Sequence, residues 1–241
     1  MAAGGDGNEQ PARRTEPKPL VSSSGLEQAT TFAKTRAGTV AWAVATEDGK
    51  LRGHNAAVQF RSASMVKAML MVAVLRRAAT RTVTADEAAL LSPMVTASDN
   101  DAAHTVYAAV GDAGLAAVAR AARMTHFLPV GAVFETRITA ADQARFFLRI
   151  DRLVPKRHRA YARGLLGGIV KPQRWGLAPV AERRGFRVFF KGGWRRGITH
   201  QSALLERDGR RVALAVLTSD EPNQTYGQAT LAGVASRVLR P

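Results

Sequence analysis

The extended-chain signals in this sequence gather at its two ends, and that segregation limits the fold more than any other feature. Residues 39–46 (TVAWAVAT) are β-prone, residues 47–50 (EDGK) are a turn signal, and a second extended segment runs on to near Phe60, which predicts a β-hairpin. Extended segments return at residues 187–191, 201–206 and 211–218, with a turn at Asp208-Gly209 before the last. Between them the apolar spacing is helical. Residues 62–79 carry Met65, Ala68, Met69, Val72 and Leu75 as one stripe, with no glycine or proline to break it, and predict a largely buried helix. Further helices are predicted over 85–95, 101–110 and 113–123, with Gly111 and Gly114 as punctuation. A loop is expected over 125–137, then a helix opened by Thr139-Ala-Ala-Asp142 and another over 156–166. Amphipathic helices over 25–34 and 228–239 begin and close the pattern. This order predicts an α+β fold: an antiparallel sheet drawn from both chain ends, flanked by helices, with a helical lobe inserted between its halves.

The chain has 241 residues, enough for one well-buried catalytic unit, and its 46% hydrophobic and 22% charged residues suit a globular protein. Residues 1–24 are glycine, proline, charge and serine; they read as a solvated tail, without the apolar stretch of an export signal, and the folded domain is expected over 25–241. There is no cysteine, which removes disulfides, thiol nucleophiles and cysteine-bound zinc together. No apolar run reaches the roughly 18 residues that a membrane-spanning helix needs. The histidines are His54, His104, His126, His158 and His200, scattered without metal-ligand spacing, so no metal and no cofactor is implied.

The net charge is +16. A field of that size can draw a protein to an anionic polymer, and positive charge is densest at Arg145, Arg149, Arg152, Lys156, Arg157, Arg159 and Arg163. Arginine supplies 28 of the 35 basic residues, however, and the bias is spread over faces that read first as solvated helix surface. No nucleic-acid partner is expected; an anionic wall polymer stays as the alternative partner.

Three short patterns could carry chemistry. Ser64-Met-Val-Lys67 opens the long helix, and a spacing of three sets both side chains on one face. A serine hydroxyl is a weak nucleophile until a base takes its proton, and a lysine can do so if burial or a neighbouring cation lowers its pKa. Alone the pattern is common by chance. Ser98-Asp99-Asn100 precedes a helix and reads equally as a cap. Lys191-Gly192-Gly193 follows the strand residues Val188, Phe189 and Phe190; it reads as a strand end, or as an edge against which a substrate can lie.

Together, in this order and in these contexts, the three patterns resemble the motif set of class A β-lactamases and penicillin-binding proteins, over about Gly25 to Leu239. The resemblance implies a serine hydrolase with a small-molecule substrate, a β-lactam or a peptidoglycan-type peptide, working as a monomer outside the cytoplasmic membrane. It makes Ser64 the nucleophile, Lys67 its proton acceptor and Ser98 the shuttle to the leaving nitrogen. Asn100 would hold the substrate amide, and Lys191 would steady the substrate carboxylate and keep Lys67 from full protonation. Gly192 and Gly193 would line the substrate, and the backbone N–H groups of Ser64 and Trp194 would form the oxyanion hole. An arginine is also expected to pair with the substrate carboxylate: Arg174, beside Trp175-Gly176-Leu177, is the first candidate, with Arg195 and Arg196 as the others.

The sequence also departs from that family. The Glu-x-x-Leu-Asn pattern whose glutamate activates the deacylating water is absent. The only acid between 125 and 137 is Glu135, which reads as a loop or cap residue. Gly192 stands where the family more often has threonine or serine, and the interval from Ser64 to Ser98 is short, so the helical lobe is expected to be trimmed. Acylation of Ser64 is therefore the firmer expectation and fast deacylation the weaker. A penicillin-binding D,D-peptidase or esterase with a persistent acyl-enzyme, and a non-catalytic binder of anionic wall polymer, are the alternatives.

Overall fold

Strand β1 (Thr39–Thr46) begins a five-stranded antiparallel sheet in a computed structural model that describes residue 1 and residues 19–240. Its partners are β2 (Leu51–His54) on one side and, on the other, β7 (Arg210–Ser219) from the far end of the chain. Then follow β6 (Ile198–Arg207) and β5 (Arg187–Arg195), so the order is β2-β1-β7-β6-β5, assembled from both chain ends as expected. A separate two-stranded ribbon pairs β3 (Phe60–Arg61) with β4 (Arg137–Ile138).

The helices are α1 (Ser23–Lys34), α2 (Val66–Arg77), α3 (Ala85–Thr96), α4 (Asn100–Ala122), α5 (Ala140–Leu153), α6 (Arg159–Gly167), α7 (Leu177–Glu182) and α8 (Gln224–Val238). α1 and α8 pack together against the sheet, while α5 crosses β1, β7 and β6. Covering both faces explains why the inner strands read as continuous apolar runs: residues 40–45 of β1 and 212–218 of β7 are buried without alternation. α2, α3 and α4 form the inserted lobe. Residues 65–72 are all buried, with α2 at the centre of the core. Among the described residues, no helix is long and apolar enough to cross a membrane.

Several local readings change. The second extended segment stops at His54, because Asn55 takes a left-handed φ of 50° and ties its side chain to the Val40 carbonyl, 3.0 Å away. Phe60 therefore belongs to the β3–β4 ribbon, not to the hairpin. The two helices expected over 101–110 and 113–123 are present, and they meet at Gly111, whose φ of 63° and ψ of 177° break α4 there. The strand containing Lys191 does not end at its glycines; it continues through Gly192 and Gly193 to Arg195 and turns back through Arg196 and Gly197. Helix α7 has no counterpart in the sequence reading, and the tail expected over 1–24 lies for the most part outside the described residues.

Candidate active site

Ser64 sits in a tight 3₁₀ turn (Ala63–Met65) that leads into α2. The turn is anchored from the side of α5: Ser62 is fully buried, its N–H donates to the Thr136 carbonyl (2.8 Å), and its hydroxyl faces the carbonyls of Val133 and Phe134, each 3.4 Å away. Ala63 is left-handed, with φ 44°. For a residue with a Cβ that conformation costs about 1–2 kcal/mol. It turns the chain sharply just before Ser64, whose side chain is only half-buried while its neighbours on both sides are inside.

Lys67 lies one turn on, with its side chain fully buried. Its Nζ donates to the Ser98 carbonyl (2.5 Å), to Asn100 Oδ1 (2.7 Å) and to Ser98 Oγ (3.3 Å). Ser98 is the second left-handed residue of the site, at φ 62°. Both features of the Ser-Asp-Asn triplet coexist: Asp99 caps α4 by accepting from the Ala102 N–H (2.8 Å), which leaves Ser98 and Asn100 turned toward Lys67.

Lys191 approaches Ser98 from β5. It is fully buried, and its Nζ donates to Ser98 Oγ (3.0 Å) and to the Gly192 carbonyl (2.9 Å). The Ser98 hydroxyl thus stands between two ammonium groups. Burial pushes Lys67 down from 10.5 to about 8, against a smaller opposing pull from Asp99. Lys191 is held well below its ordinary value, by burial first and by the charge of Lys67 second.

The two glycines that follow have different neighbours, because alternate residues of a strand face opposite sides. A Cβ on Gly193 would stand 2.9 Å from the backbone nitrogens of both Ser64 and Met65. The strand passes against the Ser64 turn with no room for a side chain. A Cβ on Gly192 would point the other way and meet the Trp175 ring at 3.5 Å, an ordinary contact. Trp175 and Trp194 form an edge-to-face pair there, with centroids 5.6 Å apart.

Arg174 is engaged away from the lysines. Its guanidinium bonds Glu182 and the Gly167 carbonyl (3.1 Å) and lies over the ring of Phe190, which precedes Lys191 and faces the opposite side of β5. Arg195 bonds Glu135 (2.5 Å), which also pairs with Arg61 (3.2 Å). Those arginines hold Glu135 below its ordinary carboxylate range, Arg195 most strongly. It is neither a free loop residue nor a helix cap. Arg196 is exposed and has no side-chain partner among the described residues.

Sequence reasoning missed Phe134. Its ring centroid lies 5.1 Å from Lys67 Nζ and its edge-to-face partner is His104, also at 5.1 Å. Among the described residues no Asp or Glu bonds Lys67; the wall on that side is aromatic. The adjacency of Phe134 and Glu135 just before the short strand β4 was the only available signal. His200 is buried beside the site and held neutral, its pKa pushed by burial down to about 4. Of the basic run on α5 and α6, Arg163 is committed to Asp151 and Glu206, and Arg145 to Asp142. No group of His, Asp or Glu among the described residues is arranged to hold a metal ion.

Residues 84–240 match the family described as "Beta-lactamase enzyme family"; the stretch includes Ser98 to Asn100 and Lys191 to Gly193, and it begins after Lys67. No curated protein matches the chain. Among solved structures, the β-lactamase from Sphaerobacter thermophilus superposes with a TM-score of 0.77 at 22% identity, over 91% of this chain and 96% of that one. The β-lactamase from Desulfarculus baarsii gives 0.74 at 22%, over 89% and 96%. An ancestral class A β-lactamase reconstructed for Gram-negative bacteria gives 0.72 at 22%, over 89% and 98%. At that identity the likeness concerns the fold.

Proposed function

The chain belongs to the β-lactamase enzyme family, and from that premise we propose that it is a serine hydrolase that opens β-lactams or D-amino-acid amides through an acyl-enzyme on Ser64. The observation that carries this is the chain Lys191 Nζ, Ser98 Oγ, Lys67 Nζ, with links of 3.0 and 3.3 Å, closing beside the turn that presents Ser64.

In this reading the neutral fraction of Lys67 takes the Ser64 proton as Oγ attacks the substrate carbonyl. The developing oxyanion is held by the N–H groups of Ser64 and Trp194, each donor worth about 3 kcal/mol. Ser98 then gives its proton to the leaving nitrogen and is resupplied by the lysines that flank it. Asn100 divides its role between Lys67 and the substrate amide. Lys191 meets the substrate carboxylate. Arg174 is not assigned to that carboxylate, since Glu182 and Phe190 already occupy it. The substrate is a small molecule and the protein acts as a monomer outside the cytoplasmic membrane.

A second reading, a penicillin-binding D,D-peptidase or esterase that keeps its acyl group, is favoured by the wall beside Lys67. Phe134 offers no carboxylate to activate water, and Glu135 is bonded to two arginines. The wall-polymer reading draws less support, because part of the basic run is spent on internal ion pairs. An intact-mass time course with benzylpenicillin, following protein and drug beside a Ser64→Ala variant, separates them. Serine-dependent loss of the drug supports hydrolysis, and a persistent adduct on the unmodified protein supports the second reading. No adduct and no loss would overturn both.

A further inference from the structure

The edge strand that carries Lys191 leads into a basic cleft that the chemistry above leaves unused. Ser98 and Lys191 mark the leaving-group side of the scissile bond, and Gly193 lies against the backbone of Ser64. Past that point β5 continues to Arg195 and turns through Arg196 and Gly197, whose φ of 72° suits glycine. The cleft there has a volume of about 370 Å³, and Arg61, Arg137, Arg195 and Arg196 line it together with Asp220.

The charges do not balance. Glu135 bonds Arg61 and Arg195, while Asp220 accepts from its neighbour Ser219 (3.0 Å). Arg137 makes no side-chain hydrogen bond and acts on the same Glu135 through charge alone, as its third and weakest arginine, while Arg196 has no side-chain partner among the described residues. Four guanidiniums against two carboxylates leave two positive charges converging on one small volume. Guanidinium is the side chain best matched to a carboxylate or phosphate.

We propose that this cleft is an acyl-side anion subsite, through which the enzyme prefers substrates carrying a carboxylate or phosphate on the acyl side of the scissile amide, distinct from the group that meets Lys191. The subsite rests on the reading of Ser64 as the acylated residue, since that reading decides which side of the bond faces the arginines. The chemistry is ion pairing alone and involves no covalent step.

The test uses two penicillins that differ by one acyl-side carboxylate, benzylpenicillin and its α-carboxy derivative. At low ionic strength the α-carboxy compound is expected to label Ser64 at least about fivefold faster than benzylpenicillin, and the ratio to fall toward one in 0.5 M salt. The Arg137→Gln/Arg196→Gln double variant is expected to bring the ratio toward one without salt. A ratio at or below one that ignores salt would overturn the subsite. Binding of both compounds to Ser64→Ala, read by tryptophan fluorescence, is the second arm. If neither compound labels Ser64, the acylation reading fails; tighter, salt-sensitive binding of the α-carboxy compound to Ser64→Ala would still support an anion subsite, and equal binding would overturn it as well.

Discussion

Replacing Gly193 with alanine tests whether β5 must touch the Ser64 turn. The added Cβ would lie 2.9 Å from the nitrogens of Ser64 and Met65, whereas ordinary contacts begin near 3.4 Å, so strand and turn must part by about 0.5 Å. Both obstacles are backbone, in a turn already fixed by Ser62 and by the left-handed Ala63, so no side chain can swing aside. Gly193 itself does not have a positive φ, and alanine is admissible there on conformational grounds. The effect is therefore steric. If the Trp194 N–H is an oxyanion donor as proposed, a retreat of that size stretches its hydrogen bond from about 2.9 to about 3.4 Å and removes much of its effect. Losing such a donor costs about 10²–10³ in rate, so a fall of roughly tenfold to a hundredfold in acylation is expected, with about 1–3 kcal/mol lost from stability. The assay is the second-order rate of Ser64 adduct formation with benzylpenicillin by intact mass, beside thermal unfolding. Gly192→Ala is the control: its Cβ meets Trp175 at ordinary distance, and its acylation should stay within about threefold of the parent. A Gly193→Ala protein that acylates as fast as Gly192→Ala would refute the reasoning.

Acylation by the unmodified protein should rise with pH and level off above about 8, where Lys67 has lost its proton, as followed by adduct formation between pH 6 and 9.5. Phe134→Glu would set a carboxylate beside the Lys67 ammonium, and should move that midpoint up and lower the rate at pH 7. The lowered pKa of Lys67 also makes a stability statement. Between about 8 and 10.5 the unfolded chain holds a proton that the folded chain has released, so stability from this group rises with pH, by up to about 3 kcal/mol. Lys67→Met should lack that rise and be the more stable protein at pH 7, as measured by denaturant unfolding at several pH values. Ala63→Gly relieves a left-handed alanine and should leave stability equal or raise it by up to about 1 kcal/mol, which thermal unfolding will register.

The sheet built from both chain ends was legible because the central runs β1 and β7 are long, carry several β-branched residues and are bounded by turn residues, and the register only had to bring β1 beside β7. The three patterns that meet at Ser98 were legible for a different reason: each alone is common by chance, but their order and their contexts at a helix start, a helix cap and a strand jointly resemble one family's motif set. What the sequence hid depends on tertiary direction. Nothing in residues 187–195 tells that Gly192 and Gly193 continue the strand, since glycine weakens a strand by propensity and is retained here through the close pass at Ser64. The sequence context that put Arg174 ahead of Arg195 and Arg196 does not show where its side chain goes; the fold sets it over Phe190 and on Glu182, while Arg195 and Arg196 lie past Gly193. Phe134 is marked in the sequence by nothing more than its place beside Glu135, because its significance is its distance to Lys67.

On the proposed reading, the site is organised more completely for forming an acyl-enzyme than for releasing it. The two lysines that this reading gives to proton transfer converge on Ser98, one from α2 and one from β5, and Ser98 itself sits at φ 62° just ahead of the Asp99 cap of α4. The same arrangement stores cost, in two buried amines and two left-handed residues, Ala63 and Ser98, which the rest of the core must offset. Deacylation needs a base for water on the other side of the ester. There the chain presents an aromatic ring, and the nearest loop carboxylate, Glu135, is neutralised by Arg61 and Arg195. In the proposed reading the base left for that water is Lys67 itself. That base is shared between both half-reactions, so acylation and deacylation should show the same pH midpoint, near 8, when each is measured separately. Two well-separated midpoints would mean that a second base, supplied by a group other than Lys67, serves the release step.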